Sequence, residues 1–206
     1  MTPSIAVSFN QSECIAKRTI DLVVAIFLLV FSAPLMLLVA IAIWLDSPGT
    51  ILYGQERVGY RGRRFQVLKF RSMVQNAEKD GKAVWATERD PRVTRVGRFI
   101  RLTRIDELPQ LLNVIRGEMS MVGPRPERPV FVEQLNQVIP SYDARHNFKP
   151  GITGWAQVKY QYGSSIEDAK YKHEYDLHYI NNWNFMLDFK ILRMTLGVVM
   201  LCKGAR

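Results

Sequence analysis

The sequence predicts an α+β fold that is mainly helical. Its parts are an N-terminal broken helix that re-enters the membrane, a small β-hairpin, and short helices with ordered loops at the membrane interface. Three observations carry this expectation. Leu22–Leu45 is a run of 24 residues without a charge. Immediately beyond it, two segments of alternating apolar residues flank a glycine-bearing turn, a hairpin pattern. From residue 92 onward, short helical stretches alternate with loops marked by Gly and Pro. No internal repeat or low-complexity linker appears, so residues 1–45 read as leader and membrane helix and residues 46–206 as one domain.

The apolar run comes first. At about 1.5 Å per residue it reaches about 36 Å, against about 30 Å of bilayer hydrocarbon. It exceeds the apolar part of a signal peptide, and Leu45-Asp46-Ser47-Pro48 is a poor cleavage site. Ser32-Ala33-Pro34 interrupts its middle. Pro34 removes a backbone donor and crowds the preceding turn, so a kink is expected, with the Ser32 hydroxyl available to a freed carbonyl. Both flanks are positive: Lys17 and Arg18 before, then Arg57, Arg61, Arg63 and Arg64 after. The positive-inside rule puts both on the cytoplasmic side. A helix broken at Ser32 and Pro34 that enters and leaves by one face satisfies both observations; a kinked spanning helix is the alternative.

Charge is concentrated next to this run. The chain of 206 residues has 28 Lys and Arg against 19 Asp and Glu, a net of +9. Residues 46–105 hold 14 basic and 6 acidic side chains, so +8 of the excess lies there. An apolar fraction of 48% excludes a disordered chain. Two cysteines, Cys14 and Cys202, are too few for a disulfide scaffold. Nucleic acid, an anionic membrane surface and phosphorylated small molecules all suit such a basic segment.

The hairpin is expected from Ile51–Val58 and Arg64–Met73 around Gly59-Tyr60-Arg61-Gly62. Alternation puts Lys69 and Arg71 on one face. Gln75–Thr87 is polar and mixes helix and loop. Arg92, Arg95, Arg98, Arg101 and Arg104 then recur every third residue, a spacing that drifts around a helix and cannot keep all five on one narrow face.

Asp106 and Glu107 follow. Thr103 stands three residues before Asp106, the spacing of a capping box, and Pro109 is tolerated only in a first helical turn. The helix is therefore expected to start near Asp106 and to stop at Gly117. Two adjacent carboxylates at a helix N-terminus suit the helix dipole as well as they suit catalysis, and spacing alone does not choose.

Two loops and a tail complete the chain. Gly123-Pro124-Arg125-Pro126 holds an arginine between prolines, which suits either a phosphate fork or an ordinary surface loop. Lys149-Pro150-Gly151-Ile152-Thr153-Gly154-Trp155 presents an aromatic that would stack on a base or dip into the interface. Trp183–Leu201 is too interrupted for a span and suits the membrane interface or the core. His146, His173 and His178 form no metal-ligand pattern.

Taken in order, these segments resemble the bacterial sugar transferases, or monotopic phosphoglycosyl transferases. The resemblance rests on Lys17-Arg18 with Asp21, the interrupted apolar run, Lys69-Phe70-Arg71-Ser72-Met73, Asp106-Glu107-Leu108-Pro109-Gln110, Gly123-Pro124-Arg125-Pro126 and Pro150-Gly151-Ile152-Thr153-Gly154-Trp155. It covers about 190 residues and implies the minimal catalytic form of the family. It also implies transfer of a sugar-1-phosphate from a UDP-sugar to polyprenyl (undecaprenyl) phosphate, with release of UMP. In that reading Asp106 is the nucleophile and forms an aspartyl-phosphosugar intermediate. Glu107 binds Mg²⁺ beside Asp106, and Lys69, Arg71, Arg101 and Arg125 contact phosphate. The expected partners are the UDP-sugar, the polyprenyl phosphate and membrane lipids, with no nucleic acid and with a homodimer left open. The expected location is the cytoplasmic face of a bacterial inner membrane, at the first membrane step of a glycoconjugate or exopolysaccharide pathway. Lys159–Asp176 is a candidate for choosing the sugar. Two rivals use the same residues: a Mg²⁺-dependent UDP-sugar hydrolase, and a membrane-anchored module binding phosphate lipid or nucleic acid.

Overall fold

The computed structural model describes residues 11–75, 77, 90–160 and 165–200. Most of the polar stretch Gln75–Thr87, part of Lys159–Asp176, and Cys202 lie outside the described residues.

Helix α1 runs from Gln11 to Asp46, 36 residues with Pro34 inside. The helix does not end at Ser32–Pro34 as the expected break would require. A proline removes one backbone donor, and the rest of the ladder continues on either side. The Ser32 hydroxyl lies 3.5 Å from the Leu29 carbonyl oxygen. Asp21, Ala25, Val39 and Ile43 are buried, and Leu29, Ser32 and Met36 are half-buried between them. Steps of three and four make this one narrow stripe against the body. The remaining surface of α1 is apolar and exposed, most of all at Phe31, 79% exposed.

Both ends of α1 are bonded to that body. Lys17 pairs with Asp188 at 2.7 Å, and the Met121 amide donates to Asp21 at 3.1 Å. Arg18 donates to the carbonyls of Val114 and Ile115 at 2.6 and 2.9 Å. At the other end the Val96 amide donates to Asp46 at 3.1 Å, and Val39 and Ile43 pack with Phe70 and Ile100.

The hairpin pairs β1 (Leu52–Val58) with β2 (Arg64–Phe70), in register from Val58↔Arg64 to Leu52↔Phe70. The second strand stops short of the expected Met73, which instead bridges to Val93. Helix α2 (Arg95–Leu102) is capped by Thr94, whose hydroxyl accepts from the Gly97 amide. Gly97 is required there: a Cβ would stand 2.0 Å from the Ser72 carbonyl oxygen. In α2 Ile100 is buried while Phe99 and Leu102 are exposed. Helix α3 (Gln110–Arg116) ends as predicted at Gly117, in the left-handed region at φ 85°. The amides of Gly117 and Glu118 return to the carbonyls of Val114 and Asn113, and Arg18 shares the Val114 carbonyl.

Strands β3 (Ser120–Val122) and β4 (Gly151–Thr153) pair in parallel, with α4 (Pro129–Val138) between them in sequence. Helices α5 (Trp155–Lys159), α6 (Ile166–Asn181) and α7 (Phe185–Met200) follow. Ser165 and Asp168 form a full capping box at the start of α6. The main core joins Val114, Met119, Val122, Tyr179, Ile180 and Ile191 with Ala25 of α1. Trp183–Leu201 thus contains a helix that buries Ile191 and leaves Met186, Phe189 and Leu196 exposed.

Candidate active site

Asp106 and Glu107 lie on a tight 3-10 turn, Ile105–Glu107, entered through Arg104 at φ 60°. Thr103 does not cap this turn. Its hydroxyl donates back to the Phe99 carbonyl at 2.9 Å and belongs to the end of α2. The capping-box spacing is present, but the left-handed residue Arg104 turns the chain away from it. Bonds from the Leu111 amide to Leu108 and from the Leu112 amide to Pro109 then lead into α3, which starts later than predicted.

Side chains one apart on a 3-10 turn diverge by about 120°, so neighbouring carboxylates meet different surroundings. Glu107 accepts from Lys69 at 2.8 Å and from Arg125 at 2.6 and 3.4 Å. Among the described residues none donates a hydrogen bond to Asp106. Both carboxylates are nearly enclosed, at 7% and 9% exposed. Burial pushes Asp106 above the ordinary aspartate value, with the Glu107 charge adding and Lys69 opposing. Burial acts the same way on Glu107, but Arg125 and Lys69 overcome it and hold that carboxyl well below the glutamate range. One acid is thereby neutralised by two cations, while its neighbour accepts no hydrogen bond from any described residue.

The fold explains how Lys69 arrives. Asn113, fully buried on α3, accepts from the Leu68 amide at 3.0 Å and donates to the Gln66 carbonyl at 2.7 Å. It therefore pairs with the free edge of β2 and brings Lys69 to the turn that precedes α3.

Arg125 arrives on a loop secured at nearly every residue. The Met121 amide binds Asp21, and the Val122 carbonyl accepts from Tyr179 at 3.2 Å. The Gly123 amide binds Thr153, and the Pro124 carbonyl accepts from Gly151. The Arg125 carbonyl accepts from Arg145 at 2.7 Å, the Pro126 carbonyl from Arg57 at 3.1 Å, and the Glu127 carbonyl from Val58. A Cβ on Gly151 would lie 2.1 Å from the Gly123 nitrogen, so the two glycine-bearing motifs interlock backbone to backbone. Sequence reading missed Arg57, Asn113 and Arg145 because only tertiary contacts give them this role.

The other expected phosphate contacts separate. The charge of Arg101, at the end of α2, acts on Asp106. Arg71 is buried and donates to the Ser47 and Pro48 carbonyls at 2.6 and 2.8 Å, which fastens the chain leaving α1. Alternation put Lys69 and Arg71 on one face, but Arg71 lies just past the strand end. Arg92 of the arginine series pairs with Asp90 at 2.6 Å. Trp155 does not dip outward; it is buried beside His178, with Lys159 and Lys190 over its ring at 4.9 and 5.4 Å.

Among the described residues no group of three metal-ligating side chains stands together. The carboxylates that fit a divalent ion are Asp106, free of donors, and the Oε2 side of Glu107, whose Arg125 contact is the longer one. Mg²⁺ commonly takes only one or two carboxylates and completes its shell with substrate phosphates and water, so this sparse set is compatible with it.

The bacterial sugar transferase family profile matches residues 12–202, which contain the whole of this site. The chain belongs to the bacterial sugar transferase family. Among similar family members, a UDP-N-acetylgalactosamine-undecaprenyl-phosphate N-acetylgalactosaminephosphotransferase of Aeromonas hydrophila is 46% identical over 190 residues, 92% of this chain and 45% of that protein. A UDP-glucose:undecaprenyl-phosphate glucose-1-phosphate transferase of Escherichia coli (strain K12) is 44% identical over 182 residues, 87% of this chain and 39% of that protein. A transferase of the same description from Caulobacter vibrioides is 45% identical over 192 residues, 92% of this chain and 71% of that protein. The chain spans about half the length of most curated relatives it matches.

Proposed function

We propose that this sugar transferase family member moves a sugar-1-phosphate from a UDP-sugar to undecaprenyl phosphate in two steps. In the first, an Asp106 carboxylate oxygen attacks the sugar-linked phosphorus. A phosphorus–oxygen bond to Asp106 forms, the bond to the bridging oxygen breaks, and UMP leaves with that oxygen. In the second, a phosphate oxygen of the lipid attacks the same phosphorus and returns the carboxylate. A carboxylate nucleophile thus divides one transfer between two anions into two easier displacements.

The observation that carries this reading is the unequal treatment of the two acids. Asp106 has no donor on it among the described residues, while Glu107 is held by Lys69 and Arg125. Removing Glu107 as a second free anion leaves Asp106 facing phosphate beside cations, where charge developing at phosphorus is offset. Mg²⁺, when bound by Asp106, Glu107 and the donor, would supply further counter-charge to the phosphoryl oxygens.

Incubation with labelled UDP-sugar and Mg²⁺, without lipid, is expected to leave label on the protein and to release UMP. Asp106→Asn is expected to lose both. A variant that still makes product at the wild-type rate would end the nucleophile assignment, and sugar phosphate released without lipid would favour hydrolysis. Because burial raises Asp106, which must be ionised to attack, the first step should slow as pH falls, at a higher pH than for an ordinary aspartate.

We infer a monotopic arrangement, with the body on the cytoplasmic face. Its support is that Lys17, Arg18 and Asp21 before the apolar run, and Asp46 after it, bond to one body. A helix crossing the bilayer would carry its two ends to opposite sides. Cysteines at positions 10 and 60 should both resist labelling from the periplasmic side. Labelling at one alone would restore a spanning helix.

A further inference from the structure

Behind the catalytic turn lies a second pair of buried charges that the chemistry above does not use. Arg145 stands in the 3-10 stretch Tyr142–Asn147 and Asp176 on α6. They are 6% and 2% exposed and lie 2.8 Å apart. Apolar residues of similar volume often serve stability as well as a buried ion pair does, so stability is a weak reason for this one. The donors of Arg145 show where it acts. One Nη donates to the Tyr142 hydroxyl, and the guanidinium lies over that ring at 5.0 Å. The other Nη faces Asp176 and donates at 2.7 Å to the backbone carbonyl of Arg125.

That carbonyl matters for a local reason. Pro124 and Pro126 each fix their own φ, and a residue before proline is confined to extended backbone. What remains is the orientation of the peptide joining Arg125 to Pro126. That peptide has no N–H, so its one hydrogen-bonding handle is the Arg125 carbonyl, and Arg145 occupies it. From there the Arg125 side chain reaches Glu107 at 2.6 Å. We propose that Arg145, anchored by Asp176, is a positioning residue that sets the Arg125 peptide and so keeps the Arg125–Glu107 clamp aligned beside Asp106. A planar fork is needed because two separate guanidinium nitrogens serve the Tyr142 hydroxyl and the Arg125 carbonyl while the charge stays beside Asp176, a spread that the single nitrogen of a lysine does not reproduce.

This inference rests on the transfer reading for its kinetic readout, so the test has two arms. In the first, UMP release is measured for the full chain in detergent. Arg145→Lys and Asp176→Asn are made in the wild type and in an Arg125→Lys background. The expectation is a fall of about tenfold or more in kcat for Arg145→Lys, with KM for the donor within about twofold, because small displacements of catalytic groups act on rate. Asp176→Asn should fall less. In the Arg125→Lys background both effects should largely vanish, since partners in one chain of action are not additive. An equal fall in both backgrounds, or unchanged kcat, overturns the proposal.

The second arm needs no activity. Amide hydrogen exchange in residues 120–128 should quicken in Arg145→Lys, while the amides of Gly117 and Glu118 keep their wild-type rates. Unchanged exchange in 120–128, or uniform quickening across both segments, overturns the proposal. Absence of UMP release from the wild type would instead count against the transfer reading and leave this arm to decide.

Discussion

Glu107 and Asp176 are two buried carboxylates, each beside an arginine, with opposite protonation behaviour. Glu107 has two cations directed at it, and its pKa is held well below the ordinary value although burial works against this. Asp176 has one arginine, which also serves a tyrosine hydroxyl and a backbone carbonyl; burial prevails and pushes it up to about 6. The ionisation of a buried acid therefore depends on how much cationic hydrogen bonding is committed to it, not on whether an arginine is near. Asp106, with no donor among the described residues, makes the same point: burial raises it as well.

The sharpest way to break this comparison is to remove the doubly held acid. Glu107→Gln takes from Lys69 and Arg125 the acid that both bond, leaving Asp106 as a neighbouring carboxylate. Both cations are partly exposed, so the loss in urea unfolding should be about 3 kcal/mol, the upper end for charged hydrogen bonds left unmet. UMP release should fall by about 10²–10³ as Lys69 and Arg125 lose the acid that holds them in place beside Asp106. An unfolding midpoint equal to wild type would show that Glu107 is not held as described.

Arg125→Met is the next largest. Glu107 keeps Lys69, so the expected loss is about 1–3 kcal/mol, the cost of one unmet charged hydrogen bond. If Lys69→Met proves the more damaging of the two, the ranking of the cations is reversed.

pH separates the two acids by sign. Glu107 has a lowered folded pKa, so its contribution is present above its unfolded value, near 4.5, and is lost as pH falls through the folded pKa. Asp176 has a raised folded pKa, so the folded state binds its proton more tightly, and its contribution declines as pH rises from about 4 to about 6. Calorimetry should find the Tm of Asp176→Asn, relative to wild type, moving upward across that window and flat above it. A relative Tm that moves downward would contradict the raised value.

The smallest effect concerns α1. Arg18→Met removes its bonds to the Ile115 carbonyl and to the Val114 carbonyl, which keeps the Gly117 amide, and should cost about 1 kcal/mol in chemical unfolding. No change would mean water replaces Arg18 without loss.

Much of the architecture was legible along the chain. The apolar run, the hairpin and the stop at Gly117 follow from local pattern: a charge-free stretch, period-two alternation, and a glycine with positive φ. The adjacency of Asp106 and Glu107 was equally plain, and so was the rigidity of Arg125 between two prolines. Their division of labour was not. Thr103 has capping-box spacing yet serves α2, and Lys69 and Arg71 alternate as if on one strand face, yet Arg71 lies past the strand end and the two reach Glu107 and Ser47.

The sequence by itself determined which residue types stand together locally: an apolar helix, two neighbouring carboxylates, and +8 of charge within sixty residues. Those features arise from short-range sterics, periodicity and composition. Tertiary structure alone decided which carboxylate is neutralised and which is left free, because Lys69 is brought by Asn113 pairing with the edge of β2, and Arg125 is fixed by Arg145 from α6's side of the molecule. Each of those contacts joins residues at least 18 positions apart, and hydrogen-bond geometry over such distances is set only when the whole chain has folded.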